Sequence, residues 1–185
     1  MSQLDREDKA VELMKEAGYG EGGKPLNIEI RYNTNPNHER VATAVADMWK
    51  NTFGANVTMT NLDVASHYAY LQEGGKFNVA RAGWVADYAD AENFLALNVS
   101  TNVTFNYGKY KNAEYDALMK ASYEERDPAK REQLFAEAHA ALVEREVYIP
   151  LGAPVRWSLV RGTIRNYLPN VWGMHPLFPL SEPTT

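Results

Sequence analysis

The chain contains no cysteine, and this absence excludes several kinds of chemistry. Without thiols the protein cannot form disulfides, bind metals through thiolates or use a cysteine nucleophile. No apolar segment reaches the roughly 18 to 20 residues that a membrane-spanning helix needs. Positive charge is scattered: the net charge is -5, and no basic run is longer than Lys130-Arg131. Because nucleic-acid binding requires a clustered basic surface, we expect no nucleic-acid partner.

Motifs of the common enzyme classes are missing as well. The sequence has no Gly-X-Ser-X-Gly elbow, no Walker lysine loop and no His-Glu-X-X-His. The acidic residues Asp87, Asp90 and Glu92 lack the glycine-turned loop of a calcium site. Three histidines are too dispersed to suggest a metal site: His67, His139 and His175. We therefore predict a protein that is not an enzyme and that binds neither a cofactor nor a metal.

Length and composition favour one folded domain. With 185 residues and 45% hydrophobic composition, the chain can bury a substantial core. Its first residues, Met-Ser-Gln-Leu-Asp-Arg-Glu-Asp, are charged and contain no apolar segment. The sequence therefore predicts no signal peptide in this chain.

Hydrophobic periodicity divides the region 1–110 into alternating helices and strands. The predicted elements are helix 10–17, strand 26–32, helix 41–52, strand 57–61, a third helix that Asp63 or Ser66 caps and Gly74-Gly75 stops, and strand 77–84. The last five give the order β-α-β-α-β, which predicts an α/β fold with mostly parallel strands and right-handed crossovers. The third strand is almost continuously apolar, as expected for a strand covered on both faces.

The region 111–185 has a different pattern. Asp127-Pro128 is a strong helix start, with an acidic N-cap and proline at the first helical position. The predicted elements are a short helix around 115–119, a long helix 127–142, strands 147–151 and 155–160, and a wrapping tail from 167. This region therefore reads as a helical and β extension of the core.

A candidate site lies where the first and third strands end. In parallel sheets, ligands bind beyond the carboxyl ends of the strands. The first strand ends near Asn33 and leads into a loop with His38, whereas the third leads into Trp84 and Asp87. In an extended chain Arg81 and Asp87 would share one face, and together they could hold the two ends of a short zwitterion. An internal ion pair between the two residues is the alternative.

The segment Asn78-Val-Ala-Arg-Ala-Gly-Trp-Val-Ala-Asp-Tyr88 closely resembles a motif of the periplasmic oligopeptide-binding proteins. These are the family 5 solute-binding proteins of ABC importers. Further segments occur in the family's order and near its spacing: 30–34, His38, 45–50, 54–58, 110–118, 127–142 and 147–151. The resemblance covers nearly the whole chain.

The resemblance implies a venus-flytrap protein that closes two lobes over an extended peptide. Residues 1–185 would form a single C-terminal lobe or fragment of such a protein. Short peptides and the membrane permease of an ABC importer are the implied partners. The implied location of the parent protein is the periplasm, or the cell surface as a lipoprotein. The surface left by a missing lobe could also drive dimerisation.

The same resemblance implies roles for individual residues. Asp87 matches the aspartate that receives the peptide's α-ammonium, and Trp84 matches a tryptophan that lines the cleft. Arg81 and His38 match residues associated with the peptide's carboxylate at certain ligand lengths. Two further residues complete the predicted ligand-binding set: Asn33 and Tyr88. The family's Asn-Glu-Pro after the tyrosine is here Ala-Asp-Ala, at 89–91, which implies a less rigid loop.

Other interpretations remain open at the level of sequence. Asp87 could cap the following turn, Arg81 could brace Asp87, and His38 could cap a helix. The chain could be a folding or interaction module that binds nothing small by itself. A small hydrolase that uses Asp87 and His38 is a further alternative. Within the resembling family the cargo could also be a nickel chelate, haem or a murein peptide.

Overall fold

The computed structural model describes residues 2–20, 22–74, 76–152 and 158–168, which form two compact units, Met1–Gly83 and Trp84–Thr185. The first unit contains α1 Gln3–Glu16, β1 Asn27–Asn33, α2 Pro36–Phe53, β2 Asn56–Leu62, α3 Val64–Gln72 and β3 Val79–Ala80. The second contains α4 Glu92–Leu95, a 3-10 turn Ala96–Asn98, α5 Ala113–Glu124 and α6 Pro128–Glu144. Among the described residues, no helix is both long enough and apolar enough to cross a membrane.

In the first unit the strands form a parallel sheet with the order β2-β1-β3. The predicted α/β class, with a β-α-β-α-β core and parallel pairing, is confirmed. The central strand β1 pairs with β2 along its whole length, from Asn27 opposite Asn56 to Asn33 opposite Leu62. It pairs with β3 only at Ile30 opposite Val79 and Arg31 opposite Ala80.

The prediction of a third strand over 77–84 is therefore wrong in length. The strand starts late because the side chain of Asn78, rather than its backbone, accepts the Glu29 N–H at 2.9 Å. The pairing with β1 stops at Ala80, opposite Arg31, and residues 81–86 belong to no strand. One further backbone bond, from Arg81 N–H to the Arg31 carbonyl at 2.7 Å, follows Ala80. Val79 and Ala80 are half-buried, so the strand is not fully covered on both faces.

Local sequence signals explain the ends of the helices. Asn35 caps α2 by accepting the Asn37 N–H, and Pro36 occupies the first turn. Gly54 ends the same helix with φ 64°, a left-handed conformation that glycine adopts at low cost. Asp127 caps α6 at the predicted start. His38 lies inside α2, so the interpretation of this histidine as the helix cap is wrong.

The two faces of β1 differ sharply in polarity. One face packs against α2 and forms the core of the first unit, which consists of Ile30, Tyr32, Ala42 and Ala46, with Ile28, Val45, Trp49 and Val57 around it. Alternation along the strand directs Glu29, Arg31 and Asn33 to the opposite face. This second face of β1 is therefore polar.

The second unit is organised around α5 and α6. Its buried residues are Leu95, Tyr115, Met119, Phe135, Ala138 and Leu142. The phenol of Tyr115 is fully buried and donates a hydrogen bond to the Leu95 carbonyl at 2.6 Å. Burial raises the pKa of this phenol well above its usual range. The bond therefore satisfies a polar group that could not otherwise be buried without a large cost.

The predicted strand 147–151 is wrong. The end of α6 turns back instead: Glu146 has φ 54°, and the Val147 N–H donates to the Leu142 carbonyl at 3.1 Å. Val147 and Tyr148 then pack against the α5–α6 core, which takes the place of strand pairing. Residues 158–160 form no strand, whereas 153–157 and the tail 169–185 lie outside the described residues.

Candidate functional site

The predicted ligand-binding residues fall into two groups. Asn33, His38 and Arg81 belong to the first unit. Three belong to the second: Trp84, Asp87 and Tyr88. Each group has its own set of contacts within its unit. The ion pair between Arg81 and Asp87 and the ligand-binding roles stay predictions.

Arg81 is held at the end of β3 by two side chains. Its Nη1 donates to Asn33 Oδ1 at 3.1 Å and to the Tyr68 hydroxyl at 3.1 Å. Asn33 is buried, so the acceptor is fixed by the end of β1. The guanidinium also lies along the chain that follows, since a Cβ on Gly83 would stand 2.9 Å from Arg81 Nη2. A glycine at this position therefore makes room for the guanidinium.

His67 anchors the same arginine through its backbone. Its Nε2 lies 2.9 Å from the Arg81 carbonyl, and because a carbonyl only accepts, Nε2 carries the hydrogen. The residue is 1% exposed. Burial lowers the pKa of His67, the hydrogen bond to the Arg81 carbonyl raises it, and the positive charges of Arg81 and Arg31 lower it, so the net pKa is lowered. His67 is therefore a neutral structural histidine, as the sequence interpretation favoured.

His38 lies in the first turn of α2 and is half-buried. Its Nδ1 lies 3.2 Å from the carbonyl of Asn33. The bond joins the start of α2 to the end of β1. Its partner there, Asn33, is also the residue whose side chain holds Arg81. The structure therefore brings three of the predicted residues together at the carboxyl end of β1.

A polar layer continues from this cluster along β1. Arg31 Nε donates to Glu29 Oε2 at 2.9 Å, and the Thr60 hydroxyl donates to Glu29 Oε1 at 2.8 Å. Burial raises the pKa of Glu29, but the hydrogen bonds from Arg31 and Thr60 outweigh it and the net pKa is lowered. The Arg31 guanidinium stacks 4.1 Å from the ring centre of Tyr70. The charges of this layer are thus internally satisfied.

In the second unit, one buried amide organises the segment with the motif. Asn93 Oδ1 accepts the indole N–H of Trp84 at 2.8 Å and the backbone N–H of Asp87 at 3.0 Å. Asn93 is 8% exposed. The Trp84 ring packs edge-on against Phe105, with 4.9 Å between centroids. The backbone N–H of Asp87 is therefore held by a buried amide, whereas the residue as a whole is exposed.

Tyr88 belongs to a small cluster of phenols around Glu92. Its hydroxyl donates to Glu92 Oε2, and the Tyr123 hydroxyl donates to Glu92 Oε1 at 3.1 Å. A hydrogen bond from Asn93 lowers the pKa of Tyr88, whereas the bond to Glu92 raises it, and the net pKa is raised. Burial and the same carboxylate raise the pKa of Tyr123 to about 12. Both phenols therefore remain protonated donors at neutral pH.

An ion pair ties this segment to the long helix α6. Arg131 binds Asp90 through both nitrogens, Nη1 to Oδ2 at 2.7 Å and Nη2 to Oδ1 at 3.1 Å. Asp90 Oδ1 also accepts the Glu92 N–H at 2.9 Å, and Arg131 stacks 4.5 Å from the Phe135 ring centre. The bond from Arg131 holds the pKa of the Asp90 carboxyl below its usual range. Asp90 thus gives the loop an anchor on α6.

Sequence reasoning missed Asn93 and Arg131. Asn93 lies in a four-residue helix and has no recognisable motif of its own, and Arg131 is 41 residues from its partner Asp90. Charge patterning could have marked Arg131 only as one of the two basic residues of α6, beside Lys130. Among the described residues, no group of three or more histidine, aspartate or glutamate side chains could hold a metal ion.

The comparison with known proteins assigns the family. Residues 3–106 match the family described as bacterial extracellular solute-binding proteins, family 5, middle. The chain belongs to this family. The suspected resemblance to oligopeptide-binding proteins is therefore confirmed, and most of the matched region is the first unit together with the segment around Asp87.

Named relatives agree with the assignment. The periplasmic oligopeptide-binding protein OppA of Haemophilus influenzae is 38% identical over 164 residues, which is 88% of this chain and 30% of that protein. Its crystal structure in complex with RPPGFSPFR has a TM-score of 0.71 and 36% identity, over 77% of this chain and 28% of that one. The murein tripeptide binding protein MppA of Escherichia coli has a TM-score of 0.75 and 34% identity, over 80% and 28%. The chain thus spans about 30% of the length of its curated relatives.

Proposed function

We propose that this solute-binding family member is part of the peptide-binding component of an ABC importer and has no catalytic role. In this proposal Asp87 receives the α-ammonium of the peptide in the cleft between the lobes of the complete binding protein. The carrying observation is at Asp87, whose backbone N–H is held by buried Asn93 while the residue as a whole is exposed. A carboxylate on a fixed backbone is suited to a charge-assisted hydrogen bond with an ammonium.

Arg81 has the complementary chemistry. The guanidinium can bind both oxygens of a carboxylate, and two neutral acceptors, Asn33 and Tyr68, hold its Nη1 side. Because these acceptors are uncharged, the positive charge of Arg81 is oriented by them without being neutralised by them. We therefore assign Arg81, with His38, to the carboxylate of peptides of suitable length. Trp84 and Tyr88 supply aromatic surface beside the proposed ammonium site.

The relatives support peptides as the cargo. OppA of Haemophilus influenzae forms a complex with RPPGFSPFR, and MppA of Escherichia coli is a murein tripeptide binding protein. By extension, the complete protein would act in the periplasm or at the cell surface and deliver peptide to a membrane permease. Binding peptides of varied sequence requires fixed termini and hydrated side-chain pockets.

The test uses a hybrid in which this chain replaces the matching segment of Haemophilus influenzae OppA. Calorimetric titration with RPPGFSPFR gives the affinity, and the N-acetylated peptide removes the ammonium. We expect Asp87→Ala to weaken binding of the free peptide by about 2 to 5 kcal/mol, as for removal of one partner of a buried charge pair. The acetylated peptide should bind the hybrid and the variant equally weakly. The exposed Asp8 of α1 provides the control, Asp8→Ala, which should bind as the unmodified hybrid does.

Equal affinity of the hybrid and its Asp87→Ala variant for the free peptide would refute the ammonium role. Failure of the unmodified hybrid to bind RPPGFSPFR or any di- to pentapeptide, while it melts cooperatively, would refute peptide as the cargo. Turnover of any peptide that depends on both Asp87 and His38 would favour the hydrolase instead.

A second candidate is a folding or interaction module without ligand binding of its own. The observation that favours it is the span of the chain, about 30% of its curated relatives. Titration of the 185-residue chain alone separates the two functions. A flat signal together with a cooperative melt supports the module, whereas measurable peptide binding contradicts it. Sedimentation of the same sample tests the proposed dimerisation.

A further inference from the structure

Asn93 occupies an unusual position in the second unit, because a single oxygen serves two donors from the segment that precedes it. Oδ1 accepts the Trp84 indole N–H at 2.8 Å and the Asp87 backbone N–H at 3.0 Å. With only 8% of its surface exposed, the amide is largely shielded from water. The strength of both bonds is therefore not reduced by competing solvent.

The segment that Asn93 holds lies outside regular secondary structure. Residues 81–86 belong to no helix or strand, and 87–90 form bends. Backbone hydrogen bonds of a sheet or helix therefore do not determine the direction of the Asp87 side chain. The two bonds to Asn93 fix the chain at two residues three positions apart: Trp84 through its indole and Asp87 through its backbone N–H. Together they define the orientation of the loop between Trp84 and Asp87.

Asn93 is itself held from several directions. It lies in α4, and its backbone N–H donates to the Asp90 carbonyl at 3.2 Å. Asp90 is bound to Arg131 of α6 by two hydrogen bonds. The next residue but one, Leu95, belongs to the buried core and accepts the Tyr115 hydroxyl. The amide is thus mounted on the packed part of the second unit.

We infer that Asn93 is a positioning residue for ligand binding, whose side-chain oxygen sets the direction of the Asp87 carboxylate and the plane of the Trp84 indole. The inference rests on the proposed role of Asp87 and deepens it. Asn93 does not contact the peptide in this assignment. It determines whether the Asp87 carboxylate and the Trp84 indole have the relative orientation that binding of an ammonium group requires.

If Asn93 had a purely structural role, its replacement would weaken binding of both peptides equally. The test must therefore separate a structural role from a positioning role. The measured quantity is the preference of the OppA hybrid for RPPGFSPFR over its N-acetylated form. Asn93→Leu has a similar volume but cannot accept either hydrogen bond. We expect it to lower this preference by about tenfold, the equivalent of one net hydrogen bond, with little change in affinity for the acetylated peptide. Asn93→Asp keeps the accepting oxygen and should retain the preference.

Asn106 offers a matched control in the same unit. It is also buried, at 4% exposed, and its side chain bonds the backbone of Tyr110 at 2.8 Å in both directions. Asn106→Leu should lower the melting temperature but leave the preference for the free amine unchanged. If Asn93→Leu does not fold, Asn93→Gln replaces it, since the longer side chain keeps the amide but displaces the oxygen. Gln should also reduce the preference.

The outcomes separate a failure of the proposed function from a failure of the positioning role of Asn93. If Asp87→Ala leaves the preference for the free amine intact, the proposed function itself fails. If Asp87→Ala abolishes the preference but the Asn93 variants retain it, only the positioning role is overturned. Equal weakening of both peptides by Asn93→Leu would also overturn it, because that result indicates a general loss of structure.

Discussion

Asn33 and Arg81 are 48 residues apart in the sequence, yet Arg81 Nη1 donates to Asn33 Oδ1 at 3.1 Å. The parallel register explains this contact, because Arg31 of β1 lies opposite Ala80 of β3. Arg81 follows Ala80, so its side chain emerges beside the end of β1. The pair therefore links the two strand ends that the sequence suggested as a binding edge, and it orients a guanidinium without neutralising it.

The first prediction concerns Arg81 as a carboxylate ligand. In the OppA hybrid, Arg81→Gln should weaken binding of peptides whose free carboxylate reaches the guanidinium, because the amide cannot form the charged fork. The loss should be confined to certain lengths in a series from dipeptides to pentapeptides, and C-terminal amidation should remove it. Calorimetric titration gives the affinities.

The exposed Arg6 of α1 provides the control for this series. Arg6→Gln should leave every affinity unchanged. An equal loss for Arg81→Gln at all lengths, with amidated peptides affected as well, would contradict the carboxylate role and indicate that Arg81 only braces the fold.

The second prediction concerns the ion pair between Asp90 and Arg131. A double-mutant cycle with Asp90→Asn and Arg131→Lys should give a coupling of about 1 kcal/mol in urea unfolding, at the upper end for partly exposed pairs because the contact is bidentate. Since the pKa of Asp90 is lowered in the folded state, this contribution is present above the ordinary carboxyl pKa. It should disappear as the pH falls below about 4 through the lowered value.

The exposed pair Lys9–Glu12, with Nζ–Oε2 at 2.7 Å, is the control and should show no measurable coupling in the same cycle. A coupling for Asp90–Arg131 that is absent at neutral pH, or that grows on acidification, would contradict the anchoring of the loop to α6.

The third prediction concerns buried His67. Its pKa is lowered in the folded state, so the unfolded chain takes up a proton at a higher pH than the native protein does. The native state should therefore lose stability as the pH falls below about 6.5, the ordinary histidine pKa. His67→Gln should reduce this dependence, which urea midpoints at neutral and mildly acidic pH would show.

The exposed His139 of α6 is the matched histidine. The variant His139→Gln should leave the pH dependence as it is. The assignment of His67 as a buried neutral donor is wrong if its replacement leaves the acid sensitivity unchanged.

The fourth prediction concerns Tyr115 in the core of the second unit. Tyr115→Phe keeps the ring but leaves the Leu95 carbonyl without its donor. We expect a loss of about 1 to 2 kcal/mol in the free energy of unfolding, the range for an unsatisfied buried acceptor. Tyr123→Phe is the comparison, since that residue is 57% exposed and water can replace its bond to Glu92. Equal effects of the two substitutions would contradict the buried hydrogen bond.

Much of the local structure could be predicted from the sequence. The Asp127-Pro128 start and the glycine at 54 placed two helix ends correctly, because caps and left-handed residues act within a few positions. Hydrophobic periodicity placed the starts of the first two helices too late, at 10 and 41, whereas α1 begins at Gln3 and α2 at Pro36. The β-α-β-α-β order and the motif over 78–88 indicated the parallel sheet and the family. These signals depend on nearby residues or on the order of segments along the whole chain. They can therefore be recognised from the sequence without a structure.

Strand length could not be predicted in the same way. A strand needs a partner, and β3 pairs with β1 only at Ile30–Val79 and Arg31–Ala80, although the apolar run in the sequence is longer. The apolar run 147–151 meets two helices instead of a sheet, and Val147 and Tyr148 pack against them. Alternating apolar residues indicate only that a segment becomes buried. Whether it packs against a sheet or against helices depends on distant parts of the chain.

The sequence by itself determined the family, the order of elements and the chemical types of the proposed ligand-binding residues. Only the tertiary structure decided which groups hold them: Asn33 and Tyr68 for Arg81, Asn93 for Asp87 and Arg131 for the loop. The physical reason is that a hydrogen bond depends on distance and direction in space. Sequence patterns record spacing along the chain, and they do not record which side chains the fold brings together.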